Sequence, residues 1–264
     1  MSSDLSPELS DLARHLWGAR RDGGDVDLNT VTLPATLDQA YAVQAENMRL
    51  AGQAVGGFKI GSSSKASQEK LGTDEPWYGA VPQSFLVQNG AVVSSVAHTL
   101  AVEGEFAFCL GADLPARAEA YTLDEVRVAV VQVAPAVEVV GRRFEGGPED
   151  RMLQLLVADG GVNVALVLGA ARPFRPDMDF RDHGVTMRVN GEDRASGVGS
   201  MALGDPLNSL LWLVNQLSRR GHGMTKGQWV STGTCTGIEP AAPGDRIAAD
   251  FGDLGMVELI LEPG

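Results

Sequence analysis

The sequence predicts an α+β protein, a small helical N-terminal region followed by a larger β-rich domain. Three observations carry that reading. Up to Gly52, two segments place apolar residues at helical spacing, each opened by a capping residue. From residue 80 onward, short apolar runs alternate with Gly, Asn and Asp turns. One such run, Val102–Leu110, carries two glutamates that a strand would put on the same face. The chain accordingly divides into residues 1–79, a helical region ending in a turn-rich segment, and residues 80–264, the β-rich domain.

The bulk composition narrows the functional classes. The 264 residues are 44% hydrophobic, enough for a sizeable core. A net charge of −13 argues against a nucleic-acid partner, which needs a basic face. No apolar run reaches bilayer length, and the opening MSSDLSPELS lacks the apolar core of a secretory leader. The only cysteines are Cys109 and Cys235, a usage that fits a reducing cytoplasm rather than a disulfide framework. His15, His98, His183 and His222 are scattered without metal-ligand spacing, which argues against zinc.

Taken in order, Ser6-Pro7-Glu8 reads as an N-cap with Pro at the first helical position, and Leu9, Leu12, Ala13, Leu16 and Trp17 extend a helix to about Arg21. Thr36-Leu37-Asp38-Gln39 is a capping box for a second helix ending near Gly52. Phe58-Lys59-Ile60-Gly61 is a short apolar run with one lysine inside it, a residue that alone reads more readily as a solvated surface charge. A short helix follows at Lys65–Leu71, then the turn-rich segment 72–79, whose acids and aromatics suit a substrate lid.

Within the β-rich part, Thr122-Leu123-Asp124-Glu125 predicts a helix running to about Val133, with Pro135 ending it and a buried strand at Ala136–Val140. Asn190-Gly191 predicts a hairpin, and Pro206 to Arg220 a helix closed by Gly221. The last strands fall at about Gln228–Thr232, Asp245–Phe251 and Met256–Leu261.

The chemistry concentrates on three acids. Glu103 and Glu105 share one strand face, about 7 Å apart, opposite Val102, Phe106, Phe108 and Leu110. Glu138 sits in an equally apolar strand. Such carboxylates make an all-oxygen site for a hard divalent cation, Mg²⁺ or Mn²⁺. The pattern alone fits equally two solvated acids and a paired core acid.

The segments Phe58-Lys59-Ile60-Gly61, Leu71-Gly72-Thr73-Asp74-Glu75-Pro76, Val102-Glu103-Gly104-Glu105 and Pro135-Ala136-Val137-Glu138-Val139-Val140 resemble the 2-keto-4-pentenoate hydratase family of the fumarylacetoacetate hydrolase superfamily. The resemblance continues in order through Ala158-Asp159-Gly160, Leu203–Asn208, Thr232-Gly233 and Gly244-Asp245. It implies a domain of mixed sheets rolled around the site. It also implies Mg²⁺ or Mn²⁺ held by Glu103, Glu105 and Glu138, a small 2-oxo acid substrate, and a homo-oligomer or a complex with a pathway enzyme. Lys59 would face the same pocket, pairing with the substrate carboxylate or carrying a proton if desolvation lowers its pKa. Gly61, Leu71, Asp159, Thr232 and Gly233 would contact substrate, although Thr232 reads as well as a plain strand-end turn.

One position departs from the hydratase pattern. Hydratases of this group carry an acid directly after the lid proline, where this chain has Trp77; related 4-oxalocrotonate decarboxylases have an apolar residue there. Asp74 or Glu75 would have to stand in as the proton carrier. The expected activity is hydration of a 2-hydroxy-2,4-dienoate in aromatic meta-cleavage catabolism. The alternatives are a 2-oxo-dioate decarboxylase, a C–C hydrolase, or a non-catalytic partner subunit, the last disfavoured by the acid cluster.

Overall fold

The computed structural model describes residues 5–95 and 99–264; residues 1–4, the start of the N-terminal stretch read above, and 96–98, with His98, lie outside them. The helices are α1 Pro7–Asp22, α2 Leu37–Ala51, α3 Lys65–Leu71, α4 Leu123–Ala129, α5 Met152–Ala158 and α6 Pro206–Arg219. The strands begin with β1 Val55–Gly61, β2 Trp77–Pro82, β3 Leu86–Gln88, β4 Ala91–Ser95, β5 Thr99–Leu110, β6 Val130–Arg142 and β7 Asn163–Leu168. They continue with β8 Arg172–Pro173, β9 Gly184–Val189, β10 Glu192–Val198, β11 Trp229–Ser231, β12 Glu239–Ala241, β13 Arg246–Asp250 and β14 Met256–Pro263.

Local signals set the helix ends. The Ser6 side chain accepts from the Leu9 N–H, and the Thr36 hydroxyl accepts from the Gln39 N–H. Gly52 closes α2 in the left-handed region at φ 63°, where a glycine carries no Cβ penalty. Leu9, Leu12, Ala13 and Leu16 bury one face of α1, which packs on α2, and α2 packs on α5.

The strands form two mixed sheets. The larger runs β2-β1-β11-β5-β6-β7-β3, with β12 on β5 and β8 on β6; the smaller runs β10-β9-β13-β14-β4. Strand parity divides β5 between two tasks. On one face, Phe106 meets Phe180 and Phe251 edge to face, and Phe108 meets Phe180 in the same way. That aromatic cluster belongs to the core between the sheets. The opposite face carries Glu103 and Glu105.

Two expectations change. The helix expected to run to Val133 stops at Ala129, and Val130 to Ala134 open the thirteen-residue β6. The β-branched valines there pack against β5, and Pro135 sits inside the strand instead of ending a helix. Its missing N–H costs no ladder bond on the far side. Partner β8 pairs only with Gln132 and Val133, and β7 pairs from Ala136 onward. The division drawn at 79/80 falls inside β2, which is hydrogen-bonded along β1 in the large sheet. Trp77, Tyr78 and Gly79 are therefore buried strand, and only residues 72–76 form a connecting loop. The Asn190-Gly191 turn joins β9 to β10 with both residues at positive φ, as a two-residue hairpin requires. Cys109 and Cys235 are buried and free.

Candidate metal centre

Register brings the three acids together. Glu103 on β5 lies directly opposite Glu138 on β6, and Glu105 lies two positions along, opposite Ala136. One carboxylate oxygen from each of the three lies within 4.8 Å of the others. All three are buried, at 7%, 1% and 0% exposure.

Lys59 completes the cluster. It lies on β1, which runs parallel to β11 with Lys59 beside Ser231, and β11 in turn pairs with β5. Its ammonium is 3.1 Å from Glu138 Oε2 and 4.8 Å from the Trp77 ring centre. Gly161, at φ 73°, leaves room for this stack. A Cβ there would lie 2.7 Å from Lys59 Cδ and 2.9 Å from the Trp77 ring. Gly61, paired with Trp77 in the β1–β2 register, is constrained in the same way, because a Cβ would sit 2.2 Å from the indole. The indole N–H donates to Ser62 Oγ at 2.9 Å.

Further groups orient the carboxylates. The Ser231 hydroxyl and the Gly233 N–H both donate to Glu105 Oε2. Asn163 Nδ2 donates to Glu138 Oε1 at 2.8 Å, and Arg143 donates to the Asn163 carbonyl and, at 2.8 Å, to Asp159 Oδ2. Asp159 thus braces a chain that ends on Glu138, and Arg20 holds it from the other side.

Three carboxylates against one ammonium leave an excess of negative charge in a buried space, and the protonation equilibria register it. Burial pushes Glu103 up to about 7, and Lys59 only partly offsets this. Burial, then Glu138 and Glu103, push Glu105 well above the carboxylate range. Burial also raises Glu138, opposed by Lys59 and the Asn163 hydrogen bond. For Lys59, burial lowers the pKa, yet Glu138, Glu103 and Glu105 outweigh it and hold the group above its usual value. The lowering expected from desolvation is therefore overridden. Glu138 Oε2 has the ion pair with Lys59 but no aligned hydrogen bond. An all-oxygen donor set with uncompensated charge and an under-used carboxylate oxygen fits a hard divalent cation.

The cluster opens onto a cavity of about 570 Å³ lined by Lys59, Gly61, Leu71, Trp77, Glu103 and Arg142 among others. A hollow of about 640 Å³ elsewhere, along Asp25–Asn29 and Glu145–Pro148, holds none of these groups. Of the other expected site residues, Thr232 is fully buried and its hydroxyl donates to the Phe106 carbonyl at 2.9 Å. Gly233 meets Glu105, and Asp159 serves the brace just described. Asp74 is exposed, Glu75 is half-buried, and neither lines the cavity. Ser231, Asn163 and Arg143 escaped the sequence reading. Only Ser231 had a signal, two residues before Gly233 on a strand already expected to border the site.

The chain matches the family described as fumarylacetoacetate (FAA) hydrolase C-terminal over residues 38–260. A 4-oxalocrotonate decarboxylase from Pseudomonas sp. (strain CF600) is 34% identical over 252 residues, covering 93% of this chain and 94% of the relative. A 2-keto-4-pentenoate hydratase from Paraburkholderia xenovorans (strain LB400) is 32% identical over 263 residues, covering 97% and 95%. The solved 4-oxalocrotonate decarboxylase from Pseudomonas putida G7, complexed with magnesium and adipate, matches at a TM-score of 0.85 and 30% identity, covering 96% and 97%.

Proposed function

The chain belongs to the fumarylacetoacetate hydrolase family, and from that premise we propose that it is a divalent-metal-dependent lyase that adds water to a 2-hydroxy-2,4-dienoate or its 2-oxo-4-enoate tautomer. Relatives named 2-keto-4-pentenoate hydratase and 2-hydroxyhexa-2,4-dienoate hydratase support that substrate class, and the family resemblance implies a step in aromatic meta-cleavage catabolism. The observation that carries the reading is the buried triad of Glu103, Glu105 and Glu138 beside Lys59 at the wall of one cavity. We assign the site Mg²⁺ or Mn²⁺, and the protein to the cytoplasm as a homo-oligomer.

Glu103, Glu105 and Glu138 would hold the cation, whose charge, when bound, polarises a 2-oxo carbonyl and stabilises negative charge developing on its oxygen. Ser231 and the Gly233 amide fix the Glu105 carboxylate, and Asn163 fixes that of Glu138, so the ligands are oriented before substrate arrives. Lys59 Nζ is the titratable cation beside the triad. Against its burial, Glu138, Glu103 and Glu105 hold its pKa up. With those carboxylates engaged as ligands, burial would lower it and let Lys59 hand a proton to the reacting chain. Neither Asp74 nor Glu75 lines the cavity, so proton transfer falls to Lys59 in this reading. Trp77, Gly61 and Leu71 line an apolar wall that limits water around the substrate.

A second reading, decarboxylation of a 2-oxo-dioate, is favoured by one observation. Trp77 is buried over Lys59 at the position where hydratases of this group carry an acid. Decarboxylation needs the cation and Lys59 but no separate acid to activate water. The two separate by product: loss of the dienol ultraviolet absorbance with a 4-hydroxy-2-oxo acid formed supports hydration. Release of CO₂ from a 2-oxo-dioate with no hydrated product would replace it with decarboxylation.

A further inference from the structure

The face of the β5–β6 ladder that carries the acid triad continues outward in layers. Glu103 faces Glu138, then Ala101 faces Val140, then Thr99 faces Arg142. All of these residues except Glu138 line the same cavity. Arg142 lies four residue steps beyond Glu138 along the strand, about 13 Å at strand rise. The cavity floor therefore runs from an acid cluster, over an apolar step of Ala101 and Val140, to a guanidinium.

That guanidinium has no partner among the described residues. Arg142 is half-buried, yet it makes no ion pair, hydrogen bond or ring contact among the described residues. The comparably half-buried Arg20, Arg117, Arg188 and Arg220 each hold a carboxylate. A partly desolvated charge without a counter-charge is unfavourable in the free protein, and an arriving carboxylate relieves that cost. Lys70 of α3, which also lines the cavity and has no ion pair among the described residues, adds a second positive charge at the rim.

We infer that Arg142 is a specificity-determining residue that reads a second carboxylate at the far end of the substrate, so that the preferred substrates are 2-oxo (or 2-hydroxy-dienoic) dicarboxylic acids. The inference rests on the reading of the triad as a 2-oxo acid site and adds the class of acid. The 2-oxo acid end lies at the triad, the hydrocarbon chain crosses Ala101 and Val140, and the distal carboxylate meets the Arg142 fork. A chain of about six carbons suits the spacing of about 13 Å once the cation and the guanidinium take their share. A monocarboxylic 2-oxo acid would leave Arg142 as unpartnered as it is in the free protein.

The test is calorimetric titration of the Mg²⁺-loaded protein with two stable probes, 2-oxoadipate and 2-oxohexanoate, which differ in the distal carboxylate. The wild type should bind 2-oxoadipate about tenfold or more tightly than 2-oxohexanoate. Arg142→Ala should remove most of that preference while leaving 2-oxohexanoate within about twofold. Lys65→Ala, an exposed cation of α3 that does not line the cavity, should change neither affinity. Equal wild-type affinities, or an equal loss for both probes in Arg142→Ala, would overturn the assignment and leave the 2-oxo acid site standing. Binding of neither probe would overturn the 2-oxo acid site itself, and with it this inference.

Discussion

Glu103 and Glu138 are direct cross-strand partners in the β5–β6 ladder, two buried carboxylates facing each other with Glu105 two residues away. Like charges directly opposite on a sheet are destabilising, and burial deepens the penalty. The sheet therefore holds an arrangement that a cation stabilises and that nothing in its own packing requires.

Replacing Glu105 tests the ligand role without emptying space. Burial and its neighbours already favour the neutral form of Glu105 in the metal-free protein, so Glu105→Gln changes little there. The metal-free melting temperature should stay within about 3 °C of wild type, a change of under roughly 1 kcal/mol. The Mg²⁺-induced rise in melting temperature and the Mg²⁺-dependent turnover should both be lost. A variant that keeps both would remove Glu105 from the ligand set.

The pH dependence follows from the raised carboxylates. Glu103 moves from 4.5 to about 7 in the folded chain, so the fold binds more protons than the unfolded chain across that window. Its contribution to metal-free stability is complete below 4.5 and fades as pH rises through about 7. A cation competes with those protons, so the melting-temperature gain from saturating Mg²⁺ should be larger at about pH 8 than at about pH 5.5. An equal or smaller gain at the higher pH would contradict the assignment.

Lys59→Met keeps most of the side-chain volume and removes the ammonium. Turnover should fall by about 100-fold or more, the scale of a lost proton-transfer group. With Mg²⁺ bound the melting temperature should change by only a few degrees, because the cation still offsets the carboxylates. An unchanged rate would take Lys59 out of the chemistry.

Much of this site was legible in the sequence because it rests on local periodicity. The capping residues Ser6 and Thr36 mark two helix starts, and strand parity alone puts Glu103 and Glu105 on one face. What local rules could not show depends on pairing between distant segments, and Lys59 entered the site only through the family resemblance. Lys59 meets the triad only because β1 lies parallel to β11, some 170 residues later in the chain. Asn163 reaches Glu138, and Arg143 reaches Asn163, by way of the β6–β7 register, which has a bulge between Val139 and Val140. Pro135 read as a helix stop because local rules cannot see that its strand changes partners there.

Gly161 offers a test of positioning. At φ 73°, with Lys59 Cδ 2.7 Å from where a Cβ would lie, Gly161→Ala strains the backbone and displaces the Lys59–Trp77 stack. The expected outcome is a fall in kcat of about tenfold or more with Mg²⁺ affinity kept within about threefold. Full activity would show that the stack is not needed for turnover.

The most direct measurement is the product formed from a 2-hydroxy-2,4-dienoate by protein stripped with chelator and then resupplied with Mg²⁺. Stripped protein should show no turnover, and on resupply it should form a 4-hydroxy-2-oxo acid visible by NMR. Turnover that persists without a divalent cation, or a substrate left unchanged by the Mg²⁺-loaded protein, would contradict it.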